Sequence, residues 1–191
     1  MFTIGQFTVN NLDISLVLPE VSHAETLYEI IVHDRDQLAH FLPWAGKIAS
    51  VKDEVDFIKA MRVDTANYKK LVLVVLVNGK PAGMVDLHNI KLKNESGEIG
   101  YWLGQKYQGN GIMTQAVKKL VDVSFNQFGL HSIKLLADHN NKPSRAIADR
   151  LHFEYVARLK DEVKYHGKFC DMELYITFNS KNYSKKGLGK N

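Results

Sequence analysis

The stretch from Glu98 to Asp138 constrains this chain more than any other. Residues 98–103 read as a strand that runs into the turn Gln108-Gly109-Asn110-Gly111, and the clearest helical pattern of the chain follows at once. Ile112, Ala116, Val117, Leu120, Val121 and Phe128 share one face, while Gln115, Lys118, Lys119, Asp122 and Asn126 fall elsewhere. Ile133, Leu135 and Ala137 then alternate along a strand ending at Asp138. Strand, helix and strand in that order predict a parallel pair around 98–103 and 131–138, joined by a right-handed crossover. Where such a strand passes through glycines into a helix, unpaired N–H groups and the positive end of the helix dipole converge on one spot, a ready anion site.

The remaining pattern fits around this unit. Residues 13–18 read as a strand, and Ser22-His23-Ala24-Glu25 has the spacing of a capping box opening a helix to about His33. Helical stretches follow at 36–41 and, capped by Ser50, at 51–68. The β-branched run 71–77 predicts a buried strand, and Asn78-Gly79 turns it into a hairpin with 82–90. Pro143 suits the first turn of a short helix to Leu151, and 155–159 and 171–178 close the chain as strands. The expected fold is α/β: one domain over 1–179 with a twisted mixed sheet flanked by helices.

Charge narrows the partners. The 191 residues carry a formal net charge of +4, and residues 180–191 hold Lys181, Lys185, Lys186 and Lys190 with no acid, so the body is neutral and the basic end reads as a solvated tail. A nucleic-acid surface needs cations clustered on a folded face, so no nucleic-acid partner is expected. No apolar run is long enough to cross a bilayer, and the start lacks a signal-peptide pattern. With Cys170 as the lone cysteine, a cytoplasmic setting is expected. His166 and Cys170 have no partners at ligand spacing, so no metal is expected.

Spacing alone leaves the anion open. Gly104 and Gly109 have Walker spacing, but Asn110-Gly111 stands where Lys-Ser/Thr is required, and Thr114 occupies the place of a dinucleotide fingerprint's third glycine. The wider pattern is more specific. The run 97–103, the turn Gln108 to Thr114, and Asn141 followed by Ser144 resemble the GNAT superfamily of N-acetyltransferases, most closely its RimJ/RimL branch, which acetylates protein N-termini including those of ribosomal proteins.

That resemblance implies acetyl-CoA as co-substrate. Its pyrophosphate would rest on Gln108, Gly109, Asn110, Gly111, Ile112, Met113 and Thr114, although Met113 departs from the small residue of the consensus. Backbone N–H groups near Trp102 and Leu103 would hold the acetyl carbonyl where the strand splays from its neighbour, with Trp102 also a core aromatic. Asn141 is matched to the cofactor, and Arg145 would meet a CoA phosphate or stay on a solvated helix face. Many GNAT enzymes carry a Tyr on the later helix as the acid for the departing thiolate; here Ala148 stands in its place, and Ser144 matches the Ser implicated in the RimL-like branch. Ser144 could equally be a helix-start hydrogen bonder.

An α-amino group, with a reference pKa of about 7.7–8.0, is partly neutral at pH 7, so its acetylation needs only a modest base. Glu98, an isolated carboxylate in an apolar strand, is the first candidate, against an exposed loop-end carboxylate; Asp161 and Glu162 follow by weaker alignment. The apolar run 41–44, with Trp44, caps the core or lines the acceptor groove, and His88 contacts the acceptor or is structural. The expected reaction is direct transfer to a protein N-terminal amine by an enzyme that is commonly a homodimer in this branch. Rivals are acetylation of a small amine, for which Asp53-Glu54-Asp56 would supply an acidic cleft or simply a solvated helix start, and a non-catalytic acyl-CoA-binding module.

Overall fold

The computed structural model describes residues 1–165 and 167–180; the basic segment expected at the end therefore lies, from residue 181 on, outside the described residues. The elements run β1 (Thr3–Val9), β2 (Leu12–Val17), α1 (Ala24–His33), α2 (Arg35–Phe41), α3 (Val51–Ala66), β3 (Leu71–Val77), β4 (Lys80–Lys91), β5 (Ser96–Leu103), α4 (Ile112–Asn126), β6 (Ser132–Asp138), α5 (Lys142–Arg150), β7 (Glu154–Tyr165) and β8 (Lys168–Phe178). All eight strands form one sheet in the order β1-β2-β3-β4-β5-β6-β8-β7, with β5 and β6 parallel and every other neighbour antiparallel.

Both faces of this sheet are covered, which explains the seven consecutive buried residues of β3. Leu71, Leu73, Val75 and Val77 pack with Ala116, Val117 and Leu120 of α4, while Val72, Val74 and Leu76 pack with Leu27 and Ile31 of α1 and Ile58 of α3. Burying each such side chain is worth about 1.5–3 kcal/mol. The Asn78-Gly79 turn closes the β3–β4 hairpin with both residues at positive φ, 48° and 78°, as the two-residue primed turn requires.

The parallel pair is shorter than the pattern of residues 98–103 predicts. Ladder pairing joins Ser96 to Ser132 and ends at Ile99 with Leu135; beyond that point β5 stays on β4 as far as Leu103, and β6 stays on β8 as far as Asp138. The two strands therefore part at Gly100, leaving an opening between them.

Four local expectations change. The capping box before α1 is made by Glu20 and His23, whose ring Nδ1 accepts from the Glu20 N–H at 3.1 Å, and not by Ser22. Strand β1 has no counterpart in the sequence reading because it is a mostly solvated edge; its signal was the Asn10-Asn11 turn, with φ 49° and 63°. The last hairpin is longer than expected because its outer half, being exposed, carries no apolar alternation. Phe128 lies past the end of α4 and packs on its core from the following loop.

Candidate active site

The parting of β5 and β6 governs the site. Successive residues of a strand point their N–H and C=O groups alternately to its two neighbours. The Gly104 N–H donates to Ala82 on the β4 side at 2.8 Å, so the backbone groups of Leu103 and Tyr101 face the opening. One of them is already used: Gln108 Nε2 donates to the Leu103 carbonyl at 2.8 Å, and Gln37 Nε2 donates to Gln108 Oε1 at 3.2 Å. Gln108 thus braces the end of β5 against the turn that follows.

That turn ends on the uncapped start of α4. Gly109 and Gly111 adopt φ of 78° and 77°, where a Cβ would be strained, and Gly111 is the N-cap residue, with no side chain bonded to the helix end and no acid in the first turn. The Asn110 side chain donates to the Tyr107 and Gln108 carbonyls at 3.3 and 3.1 Å and so holds the loop shape. Ile112 and Met113 are buried beneath it. A cation arrives from a residue the sequence reading overlooked: Arg150, in the last turn of α5, donates to Thr114 Oγ1 at 2.7 Å. Its charge also bears on Tyr101, which ties it to the same opening.

On the other wall stands the first turn of α5. Asn141 Oδ1 accepts from the Ser144 N–H at 3.2 Å, so Asn141 is the cap and the Ser144 hydroxyl is left for another partner. That partner is the Tyr101 hydroxyl, 2.8 Å away. Burial pushes the Tyr101 phenol up to about 12, despite the Ser144 contact and the Arg150 charge, so it stays neutral. Arg145 does not face the opening freely: it donates to the His139 carbonyl at 2.9 Å and to the Tyr175 hydroxyl at 3.3 Å.

The even-numbered side chains of β5 occupy the opposite face of the sheet. Glu98 pairs with His88 across the β4–β5 ladder, and the register places Asp86 opposite Gly100. His88 donates from Nδ1 to Asp86 Oδ1 at 2.7 Å, and its Nε2 lies 3.3 Å from Glu98 Oε1. Asn89, at φ 50° where the β4–β5 register shifts, donates to Glu98 Oε2 at 3.1 Å. Burial works against a charged His88, but the hydrogen bonds and charges of Asp86 and Glu98 outweigh it and raise its pKa to about 9. Burial likewise pushes Glu98 up, yet the bonds from His88 and Asn89, with Lys134 nearby, bring it below its ordinary value. Gly100 makes room for this cluster, since a Cβ there would lie 2.8 Å from Asp86 Oδ2. Glu98 is therefore a held, half-buried carboxylate, and His88 is its partner.

Other candidates separate from this centre. Glu162 is exposed on a bulge of β7, where the register with β8 skips from Leu159 to Val163, and Asp161 beside it has φ 53°. Trp102 is buried with α1 and α3, and Trp44, more exposed, meets it edge-on at 6.0 Å between ring centroids. The acidic run at the start of α3 does not form one surface: Asp53 accepts from the Ala49 and Ser50 N–H groups at 2.9 Å, Asp56 pairs with Lys52, and Glu54 is 2% exposed. Among the described residues no cluster of three or more His, Cys, Asp or Glu is placed to hold a metal ion, and no helix is long and apolar enough to cross a membrane.

Sequence reading missed Tyr101, Asp86, Asn89 and Arg150. Asp86 was findable, because alternation from the Asn78-Gly79 turn puts it on one face with His88, which the sequence did single out. Arg150 was not, since nothing local links it to Thr114.

A mixed sheet opened between two parallel strands, with a glycine turn and an uncapped helix start over the opening, forms a cleft with an anion-ready site at its mouth, suited to an enzyme that takes a phosphate-bearing co-substrate. Residues 13–154 match the acetyltransferase (GNAT) domain family, and the chain belongs to that family as an acetyl-CoA-dependent N-acetyltransferase. It is 30% identical over 166 residues to the Bacillus subtilis protein named "Putative ribosomal N-acetyltransferase YdaF", covering 86% of this chain and 91% of that one. The ribosomal-protein-serine acetyltransferase of Escherichia coli is 24% identical over 81% of this chain and 86% of its own. Among solved structures, the microcin C7 self immunity acetyltransferase MccE in complex with acetyl-CoA and AMP superposes with a TM-score of 0.83 at 30% identity, covering 87% and 92% of the two chains.

Proposed function

We propose that the enzyme acetylates the N-terminal α-amine of a protein by direct attack on acetyl-CoA. The observation that carries this reading is the held carboxylate of Glu98 on the sheet face beside the opening, with His88 and Asn89 fixing its two oxygens. An α-amine is partly neutral near pH 7, and once its nitrogen has bonded to the thioester carbon it is cationic, so one of its two protons becomes strongly acidic. A carboxylate with a lowered pKa is then base enough to take it, directly or through water. The names of the Bacillus subtilis and Escherichia coli relatives support a ribosomal protein as the acceptor.

The co-substrate fits the residues present. Its pyrophosphate would lie on the N–H groups of Gly111 to Thr114, with Arg150 beside them; the Tyr101 and Leu103 N–H groups would hold the pantetheine arm and the acetyl carbonyl. Asn141 shapes the first turn of α5, and Ser144 supplies the proton for the departing thiolate. Trp44 and His88 border the acceptor side. Bound acetyl-CoA supplies the activated acetyl group. We further infer a cytoplasmic homodimer, with Tyr155 and Val156 exposed together on β7 as apolar surface that supports pairing.

A mass-spectrometric screen of peptide N-termini and small amines with acetyl-CoA tests the acceptor. Acetylation of peptides beginning with the residue of a ribosomal protein N-terminus is expected, and turnover confined to small amines would overturn it. The small-amine reading keeps the support of a likeness to the spermidine N(1)-acetyltransferase of Escherichia coli, 29% identical over 96 residues, but loses its acidic cleft, because the α3 acids are dispersed.

A further inference from the structure

We propose that Tyr101 is the positioning residue of the acid step: its phenol, reaching from β5 to the first turn of α5, fixes the Ser144 hydroxyl so that the hydroxyl proton is directed into the opening between β5 and β6. This rests on the reading of Ser144 as the thiolate's acid and supplies what that reading lacks, a reason for a serine hydroxyl to be aimed.

Tyr101 OH lies 2.8 Å from Ser144 Oγ, where either hydroxyl can donate, and is placed to donate to the Ser144 carbonyl at 3.2 Å as well. That carbonyl belongs to the first turn of α5, where the helix supplies its regular donor one turn on. The phenol proton is assigned to Ser144 Oγ, the shorter of the two contacts. With one lone pair of Oγ taken by a donor, the serine's own proton points elsewhere, and the accepted bond strengthens it as a donor. Burial keeps the phenol neutral, so it retains a proton to donate at working pH.

Packing explains why the phenol comes from a strand. Ala148, one turn beyond Ser144, is fully buried in a cluster with Leu135, Ala137, Phe153 and Tyr175, and the Tyr101 ring packs on that same cluster. Tyr101 also turns its backbone N–H to the opening, so one residue presents both a donor there and the support for Ser144.

The chemistry balances without a charged tyrosine. The amine nitrogen bonds to the acetyl carbon and its proton leaves to Glu98; the C–S bond breaks with its electron pair on sulfur, which takes the Ser144 proton. Ser144 recovers a proton from water, to which Glu98 releases its own. Tyr101 keeps its proton throughout.

The test is a double-mutant cycle of Tyr101→Phe and Ser144→Ala, with kcat and KM for acetyl-CoA and Tm for each variant. Tyr101→Phe keeps the ring and its packing. We expect kcat to fall about 100-fold or more in Ser144→Ala and by a smaller factor, about 10-fold or more, in Tyr101→Phe, with KM and Tm near wild type, and the double variant to be no slower than Ser144→Ala alone. Additive losses would overturn the proposal, because a merely structural tyrosine acts whether or not Ser144 is present. An unchanged kcat in Tyr101→Phe would also overturn it. A slow Tyr101→Phe beside an unimpaired Ser144→Ala would overturn both this role and the reading of Ser144 as the acid.

Discussion

His88 Nε2 lies 3.3 Å from Glu98 Oε1 across the β4–β5 ladder, and the Asp86 carboxylate holds the other ring nitrogen at 2.7 Å. One imidazolium between two carboxylates leaves the group net anionic, which suits a site that receives an ammonium ion and then a proton. The same contact makes the site sensitive to pH.

The His88 pKa is raised from 6.5 to about 9, so the folded state binds its proton more tightly than the unfolded chain does. The resulting stabilisation is complete below about pH 6.5, declines between 6.5 and 9, and is gone above 9. Its size is on the order of 2–3 kcal/mol. Thermal melts of the wild type and His88→Gln across pH 5.5–9.5 should show a Tm gap that is widest at the acid end of this range and closes by its alkaline end. A gap that widens with pH would contradict the pairing.

Gly100→Ala should injure the reaction more than the fold or cofactor binding. The added Cβ would meet Asp86 Oδ2 at 2.8 Å and His88 Cε1 at 3.3 Å, pushing the cluster away from Glu98. We expect kcat/KM for the acceptor to fall about 10-fold or more, with the Kd for acetyl-CoA within a few-fold. Steady-state kinetics and titration calorimetry on one preparation separate the two.

Arg150→Gln should weaken acetyl-CoA. A charge-assisted hydrogen bond is worth about 1.5–3 kcal/mol, so the Kd should rise about 10-fold or more if the guanidinium on Thr114 also serves the pyrophosphate. Transfer from S-acetyl-pantetheine, which has no pyrophosphate, should match the wild type. An equal loss with both donors would show that Arg150 serves only the α4–α5 contact.

Glu54→Gln should stabilise the protein in a pH-dependent way. Burial raises the Glu54 pKa from 4.5 to about 7, so the folded state is penalised increasingly from about pH 4.5 to 7 and fully above. Urea unfolding at pH 8 should show a gain on the order of 2–3 kcal/mol for Glu54→Gln, vanishing near pH 4. An equal gain at both pH values would mean that Glu54 is not the titrating group.

Where a residue's role depends on its own periodic pattern, the chain can be read directly. The buried run of β3, the Asn78-Gly79 turn, the amphipathic α4 and the Gly109–Gly111 turn all carry their cause locally, in branched side chains, left-handed backbone and 3.6-residue spacing. The solvated outer parts of the sheet escaped, because β1 and the far end of β7 bury too little to need alternation. Glu54 misled for the opposite reason: an acid in a first helical turn normally faces water, and only the packing of α3 buries this one.

The amino-acid sequence by itself determined the strand–turn–helix–strand unit, the anion-ready start of α4 and the isolation of Glu98 in an apolar strand, because each follows from neighbours within a few residues. Tertiary structure alone decided that β5 and β6 part after Ile99, that His88 and Asn89 hold Glu98, and that Tyr101 reaches Ser144 while Arg150 reaches Thr114. Those contacts join residues from 9 to 43 positions apart. Their energies depend on distance and burial, which sequence spacing does not encode.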